Sequence, residues 1–156
     1  MQLRRGCRLW WVALPVILID RVCKAAIMRA MMPGQVQTVF PGLLSWAYTR
    51  NRGVAFGLLS GAAALPLLTL LLIAALLVWM LRHPEAGILL RSGLWLIVGG
   101  GLGNLYDRLA YGCVIDFIRL DFINFAIFNP ADVFVCAGAV LVAIAVLRED
   151  RRKAHG

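Results

Sequence analysis

Asp116 lies in a stretch that could hold a carboxyl group away from water. The segment 114–122 reads Val-Ile-Asp-Phe-Ile-Arg-Leu-Asp-Phe. If this segment is extended, alternate residues share a face, so Asp116 lies on an apolar face, opposite to Arg119 and Asp121. Burial disfavours the charged form of a carboxyl group, and we therefore expect a raised pKa for Asp116. The spacing supports equally well an alternative in which Asp116 is a turn residue just before the strand.

Asp132 lies in a sequence that predicts the start of a helix. Asn129 fits the N-cap, Pro130 the first helical position and Asp132 the third. The helix dipole stabilises an acid in the first turn, so capping alone would explain Asp132. The same backbone N–H groups favour the ionised carboxylate, and we expect Asp132 to ionise more readily than Asp116.

Two carboxyl groups in contrasting environments are suited to aspartyl hydrolysis. The ionised acid draws a proton from water, while the protonated partner hydrogen-bonds the scissile carbonyl. This interpretation makes Asp132 the base and Asp116 the acid. Sixteen positions separate the two residues, which is enough chain for a strand to return to the start of a helix. If the two groups are close together, they share the proton as a pair.

Asn104, Asp107 and Arg108 follow a glycine-rich stretch, 99–103. On a helix, Asn104 and Asp107 share a face, whereas Arg108 can turn toward lipid headgroups. Alternatively, Asn104 and Asp107 cap the end of that helix. The glycines resemble a phosphate-binding loop, but neither the preceding strand nor the following Lys-Ser/Thr of that motif is present. Close helix packing is the better interpretation.

Asp20 and Lys24 are spaced for an ion pair on one helix. Charges this near a bilayer usually face protein or water, so a structural pair is favoured over direct catalysis. Asn51 precedes a long apolar run, and taken alone it would be interpreted as the cap of that helix.

The composition indicates that a membrane surrounds these groups. Of 156 residues, 62% are hydrophobic and 15% are charged, against roughly a quarter charged in soluble domains. A soluble fold of this size could not bury so much apolar surface. The sixteen basic residues exceed the eight acidic ones and cluster at the ends of apolar runs, which is the positive-inside pattern rather than a nucleic-acid surface. The four cysteines form no CxxC pair, so neither a zinc site nor a disulfide framework is indicated.

The predicted fold is mainly α, an integral membrane protein forming a single domain over residues 1–156. Four apolar runs are long enough to span a bilayer, and they cover approximately residues 9–27, 58–81, 88–105 and 131–147. An even number of spans with basic ends places both termini in the cytoplasm. The first run is interpreted as a retained helix rather than a cleaved signal peptide, because charged residues occupy the place of the small cleavage-site residues.

Two segments are expected outside the cytoplasm, approximately 28–57 and 107–129. The first contains two stretches rich in β-branched and aromatic residues, 35–40 and 44–48, separated by Pro-Gly. This pattern predicts a small β element at the membrane surface.

Five short motifs occur together in an order that resembles the bacterial lipoprotein signal peptidase (signal peptidase II) family. They are DRVCK from Asp20, NRGVAFG from Asn51, GGGLGNLYDR from Gly99, VIDFI from Val114 and FNPAD from Phe128. Each is weak alone, but five in order are highly specific and cover nearly the whole chain. Arg21 and Cys23 stand where the family commonly has Gln and Thr, and Pro130 stands where an aliphatic residue is more usual.

The resemblance implies an aspartic endopeptidase of the bacterial cytoplasmic (inner) membrane, active at the outer leaflet without metal or cofactor. Its substrate would be a prolipoprotein, cut just before a cysteine that carries diacylglycerol. Asp116 and Asp132 match the catalytic positions of the family. The positions implied to support the site, or to contact the substrate or the cyclic peptide inhibitor globomycin, are Asp20, Asn51, Asn104, Asp107, Arg108, Asn129 and Ala131. The expected partners are the diacylated prolipoprotein, membrane lipid and this inhibitor, with no nucleic acid.

Two other functions are alternatives to peptide hydrolysis. A small four-span proton-coupled transporter or channel component would also carry intramembrane acids, but it predicts them near mid-bilayer on several helices. Here five of the eight acids fall on the predicted outer side, and the second apolar run has none. A non-catalytic assembly factor that docks through the glycine-rich helix would leave the two aspartates without a purpose.

Overall fold

The computed structural model describes residues 9–53 and 64–154. Predictions on residues 1–8 and 54–63, including the basic start of the chain and the start of the second apolar run, lie outside the described residues. A short 3-10 turn, Trp10–Val12, precedes the first helix. In chain order the helices are α1 (Ala13–Ala30), α2 (Ala64–Arg82), α3 (Ile88–Tyr111) and α4 (Pro130–Ala154), and the strands are β1 (Val36–Phe40), β2 (Leu44–Asn51) and β3 (Val114–Leu120).

The three strands form one antiparallel sheet in the order β1-β2-β3. The hairpin between β1 and β2 turns at Gly42, whose φ of 72° is a left-handed conformation that glycine adopts without strain. This hairpin confirms the β element predicted before the second apolar run. Strand β3 pairs with β2 so that Asp116 lies opposite Thr49 and Val114 lies opposite Asn51. The pairing brings the end of β2 to the part of β3 that carries Asp116.

Three helices are long and apolar enough to cross a membrane, judged by length and composition. They are Ala64–Arg82, Ile88–Tyr111 and Pro130–Arg151. Among the described residues, α1 does not join them, because its 18 residues include Asp20, Arg21, Lys24 and Arg29. Most of the surface of α2 and α4 is apolar and exposed, as expected of helices that face lipid. The protein is therefore a membrane protein, and a fourth span through α1 stays a prediction.

The glycines of α3 allow close contact with neighbouring helices, as predicted. A Cβ added to Gly100 would lie 2.4 Å from the backbone oxygen of Ala131 on α4. One added to Gly103 would lie 2.7 Å from Oδ2 of Asp20 on α1. Two separate glycines of one helix thus let α1 and α4 approach its backbone.

The end of α3 differs from the prediction. The helix was expected to stop near residue 105, with Asp107 opening an external segment, but it continues to Tyr111. It ends at Gly112, which has a φ of 67° and donates its N–H to the Arg108 carbonyl at 3.1 Å. The interpretation of Asn104 and Asp107 as helix-end caps is therefore wrong. Both polar side chains face protein partners, so they do not mark the point where the helix meets water. The helices of two other predicted runs also end later than expected, since α1 continues to Ala30 and α4 to Ala154.

Candidate active site

Asp116 lies within β3 and is 2% exposed, so its interpretation as a turn residue is wrong. Its carboxyl group accepts two side-chain amide hydrogen bonds, from Asn51 Nδ2 to Oδ2 at 2.8 Å and from Asn129 Nδ2 to Oδ1 at 2.6 Å. The pKa of Asp116 is raised, and burial is the largest cause, while each of the two amide hydrogen bonds lowers the pKa by less. The negative charge of Asp132 raises it further, while Lys24 lowers it. The predicted direction is confirmed.

Asp132 lies in the first turn of α4 and takes part in the predicted cap. The Asn129 Oδ1 accepts the Asp132 N–H at 3.1 Å, and the Asp132 Oδ2 accepts the Asn129 N–H at 3.2 Å. This reciprocal pair is a capping box built from Asn and Asp. The other carboxylate oxygen, Oδ1, accepts a hydrogen bond from Asn104 Nδ2 at 2.7 Å. Asp132 therefore both caps α4 and joins the polar site.

Asn129 connects the two acidic residues directly. Its side-chain nitrogen contacts Asp116 while its backbone nitrogen contacts Asp132. The same side-chain nitrogen also donates to Asn104 Oδ1 at 3.1 Å. Asp116 comes from β3, Asn104 from α3, and Asn129 and Asp132 from the start of α4. These three elements place both carboxyl groups next to the buried Asn129.

A cluster of four charged side chains adjoins these amides through the hydrogen bond from Lys24 to Asn104. Its members are Asp20, Arg21, Lys24 and Asp107. Lys24 Nζ lies 2.9 Å from Asp20 Oδ1 and 2.7 Å from Asp107 Oδ2. Arg21 contacts the other oxygen of each acid, at 2.6 Å for Asp20 and 2.7 Å for Asp107. Lys24 and both acids are fully buried. The predicted Asp20–Lys24 ion pair is confirmed as one edge of this larger charge cluster, which lies along the middle of α1.

The charge cluster also holds the backbone of the elements that carry the acids. Asp107 Oδ2 accepts the N–H of Ile115, the residue before Asp116, at 3.1 Å. Asp20 Oδ1 accepts the N–H of Ala131, the residue before Asp132, at 3.3 Å, and Ala131 is fully buried. The acids of the cluster thus fix both chain segments next to the site.

Asn51 and Arg108 lie at the margin of the site. Asn51 is the exposed last residue of β2, and its contact with Asp116 shows that its interpretation as a helix cap is wrong. Its Oδ1 accepts the N–H of Gly53 at 2.8 Å. Arg108 is half-buried and interacts electrostatically with Asp116 and Asp132. Within the described residues, no group of three or more His, Cys, Asp or Glu side chains could hold a metal ion.

The roles of two residues in the site were not predicted from the sequence. Lys24 was interpreted only as the ion-pair partner of Asp20, yet it also donates to Asn104 Oδ1 at 3.0 Å. Arg21 was assigned no structural role, although it pairs with both acids and lies over the Tyr106 ring at 4.7 Å. The signal for both was the concentration of charge on one otherwise apolar helix.

The profile of a protein family described as signal peptidase (SPase) II, peptidase family A8, matches residues 12–148. The chain belongs to the signal peptidase II family. The lipoprotein signal peptidase of Streptococcus pneumoniae is 37% identical over 140 residues, which cover 89% of this chain and 92% of that protein. The lipoprotein signal peptidase of Streptococcus agalactiae is 34% identical over 145 residues, covering 92% and 94%.

Two solved structures are similar to this chain. Both are described as the structure of a bacterial membrane enzyme obtained by the in meso method. The one at 2.3 Å resolution has a TM-score of 0.84 and 31% identity, covering 94% of this chain and 91% of that chain. The one at 1.9 Å has a TM-score of 0.82 and 32% identity, covering 88% and 90%. Membership in the signal peptidase II family makes this chain a peptidase of signal peptide processing, so the transporter and assembly-factor interpretations are not retained.

Proposed function

We propose that this peptidase cleaves the signal peptide of diacylglyceryl-modified prolipoproteins just before the lipidated cysteine, by water attack that uses Asp116 and Asp132. One observation carries the proposal: a single residue, Asn129, hydrogen-bonds both carboxyl groups. This shared contact brings both carboxyl groups to one residue, which supports their action on one water molecule. Their environments differ, as the chemistry requires.

In the proposed reaction, Asp132 acts as the base and Asp116 as the acid. Water gives a proton to the Asp132 carboxylate and its oxygen attacks the scissile carbonyl carbon. The protonated Asp116 hydrogen-bonds the carbonyl oxygen and transfers its proton to it, which forms a hydroxyl of the tetrahedral intermediate. When the C–N bond breaks, the leaving amine takes the proton from Asp132, and Asp116 recovers its proton from that hydroxyl as the product carboxyl group forms. The burial that raises the pKa of Asp116 favours the protonated form that this role needs.

The proposed setting is a four-span protein of the bacterial inner membrane, with both termini in the cytoplasm and the site at the outer leaflet. The sheet and the acids lie at the end of α3 that carries Gly112, and at the start of α4. A diacylated substrate would be confined to the bilayer, and burial of its acyl chains contributes about 0.8 kcal/mol per CH₂. Recognition of the peptide can then be loose. Arg108 and Asn51, at the margin of the site, are the proposed contacts of substrate or of an inhibitor such as globomycin.

The proposal is tested with D116N, D132N and the double variant, assayed in detergent on a diacylated precursor over a range of pH. We expect each single variant to lose about 10²–10⁴-fold in kcat, because each removes one partner of an acid–base pair. The double variant should be hardly worse than either single one, since the two groups act as a unit. The matched control is D121N, which changes a carboxylate five positions after Asp116. The Asp121 carboxylate accepts hydrogen bonds from Ser45 and Arg119. Substantial turnover by the double variant would refute the proposal.

A further inference from the structure

We propose that Lys24 is a positioning residue for the two acids: its buried ammonium fixes the direction of the hydrogen bonds along two amides, Asn104 and Asn129, so that each carboxyl group receives an N–H. This inference rests on the function proposed above. It assigns to Lys24 a role beyond its ion pair with Asp20.

The hydrogen-bonding capacity of Lys24 determines the first step. A lysine ammonium has N–H donors and no acceptor. Lys24 donates a hydrogen bond to Asn104 Oδ1 at 3.0 Å, and its Nζ forms ion pairs with Asp20 Oδ1 at 2.9 Å and with Asp107 Oδ2 at 2.7 Å. Because an ammonium cannot accept, Asn104 must present its amide oxygen to Lys24. Its NH₂ group is thereby directed to the Asp132 carboxylate, 2.7 Å away.

In the second step, the orientation of the Asn104 amide fixes the orientation of the Asn129 amide. The Asn104 oxygen also accepts from Asn129 Nδ2 at 3.1 Å, so Asn129 likewise presents nitrogen on this side. The same nitrogen donates to Asp116 Oδ1 at 2.6 Å, and the Asn129 oxygen is left to accept the N–H of Asp132. Reversing Asn104 would bring its oxygen against the Asp132 carboxylate and its NH₂ against the Lys24 ammonium. Both contacts would be repulsive.

The surrounding charges set the expected pH effect. Lys24 is faced by Asp20 and Arg21 from α1 and by Asp107 from α3. Arg108 from α3 and Asp116 from β3 both interact electrostatically with Asp132. The four-membered charge cluster has two acids and two cations, so loss of Lys24 leaves a net negative charge beside Asn104. The catalytic pair should then ionise only at higher pH.

The experiment compares K24M, which has no donor, with K24Q, whose amide can donate to Asn104 without enforcing a direction. Activity on the diacylated precursor in detergent is measured as kcat and KM over pH, together with the Tm of each variant. We expect K24M to lose at least about tenfold in kcat with little change in KM, which corresponds to one hydrogen bond to a charged group. Its acid limb should move to higher pH. K24Q should fall between K24M and the unchanged protein.

The control is R21Q, which removes a positive charge from the same cluster without contacting either amide. We expect R21Q to lower Tm while its acid limb moves less than that of K24M. Unchanged kcat and acid limb in folded K24M or K24Q, or an equal shift in R21Q, would overturn the inference. If K24M yields no folded protein, K24Q and R21Q decide. An active D116N/D132N double variant would instead overturn the proposed function, so the two failures are distinguishable.

Discussion

Asp116 and Asp121 are only five positions apart, but their environments shift the pKa of the carboxyl group in opposite directions. At Asp116, the pKa is raised, and burial is the largest cause. At Asp121, the hydrogen bond from the Ser45 hydroxyl and the nearby Arg119 guanidinium lower the pKa. The fold therefore favours the neutral acid at the first position and the carboxylate at the second.

This contrast predicts opposite stability effects for D116N and D121N. An acid whose pKa is raised by folding stabilises the protein below its unfolded pKa, near 3.8, and that contribution is lost as pH rises through the folded value. Asn at position 116 cannot ionise, so compared with the unchanged protein D116N should have an advantage in Tm at pH 7 over pH 4. Its NH₂ group loses one of the two amide hydrogen bonds, which lowers its Tm at both pH values. Each kcal/mol corresponds to about 2–4 °C in a chain of this size.

Thermal unfolding in detergent at pH 7 and at pH 4 checks this prediction. The advantage of D116N should shrink at pH 4. D121N should show no such advantage, because a lowered pKa contributes stability that is present above the unfolded value and lost as pH falls through the folded one. A D116N variant that loses more Tm at pH 7 than at pH 4 would contradict it.

The residues that could be predicted are those whose environment is local. The cap at Asn129 and Asp132 follows from four consecutive positions, and the burial of Asp116 follows from strand alternation. The contacts of Asn51 with Asp116 and of Lys24 with Asn104 join residues 65 and 80 positions apart. They depend on strand pairing and helix packing, which a single sequence does not specify.

The close packing of neighbouring helices against α3 depends on its glycines, which have no side chain. At Gly100 the backbone of α4 is so near that a Cβ would lie 2.4 Å from the Ala131 oxygen. Ala131 is the neighbour of Asp132, so the separation of the two helices also sets the position of the acid. The glycine pattern predicted this packing correctly. The end of α3 was predicted wrongly, since polar residues such as Asp107 were expected to face water but face the charge cluster instead.

G100A should therefore reduce both stability and activity. The added methyl group must push α4 away from α3, and overpacking of this kind costs about 1–3 kcal/mol. The matched control is G87A at the N-cap of α3, where a Cβ would meet nothing within 4 Å. Tm and cleavage rate are measured for both variants. Equal behaviour of G100A and G87A would show that the close contact does not position the site.

Across the whole protein, the charge distribution predicts the orientation in the membrane. Three of the predicted spans correspond to helices that are long and apolar enough to cross a membrane, whereas α1 carries four charged residues. In the structure, Lys24 and Asp20 are shielded by α3, so α1 can cross a bilayer without exposing them to lipid.

We expect a green fluorescent protein fused to the C-terminus to fluoresce in bacterial cells, and alkaline phosphatase at the same place to be inactive. Basic residues at the end of α4 should retain that end in the cytoplasm. Fusions after Arg82 should behave like the C-terminal ones, with a fluorescent green fluorescent protein and an inactive phosphatase. Phosphatase inserted after Gly42, in the β1–β2 hairpin, should be active. An active phosphatase at the C-terminus would contradict an even number of spans.

The buried charges of α1 also determine how this protein can be assembled during synthesis. Each charge at the centre of an inserting helix costs about 2.5–3.5 kcal/mol, and the partner amide of Lys24 follows it by 80 residues. At about 5–20 residues per second, the ribosome needs on the order of ten seconds to deliver that partner. Until then the first helix must keep its charges in water or against the insertion machinery. Its final burial is thus a joint event with the third helix, and a truncation that ends before α3 should leave the first helix without a stable place in the bilayer.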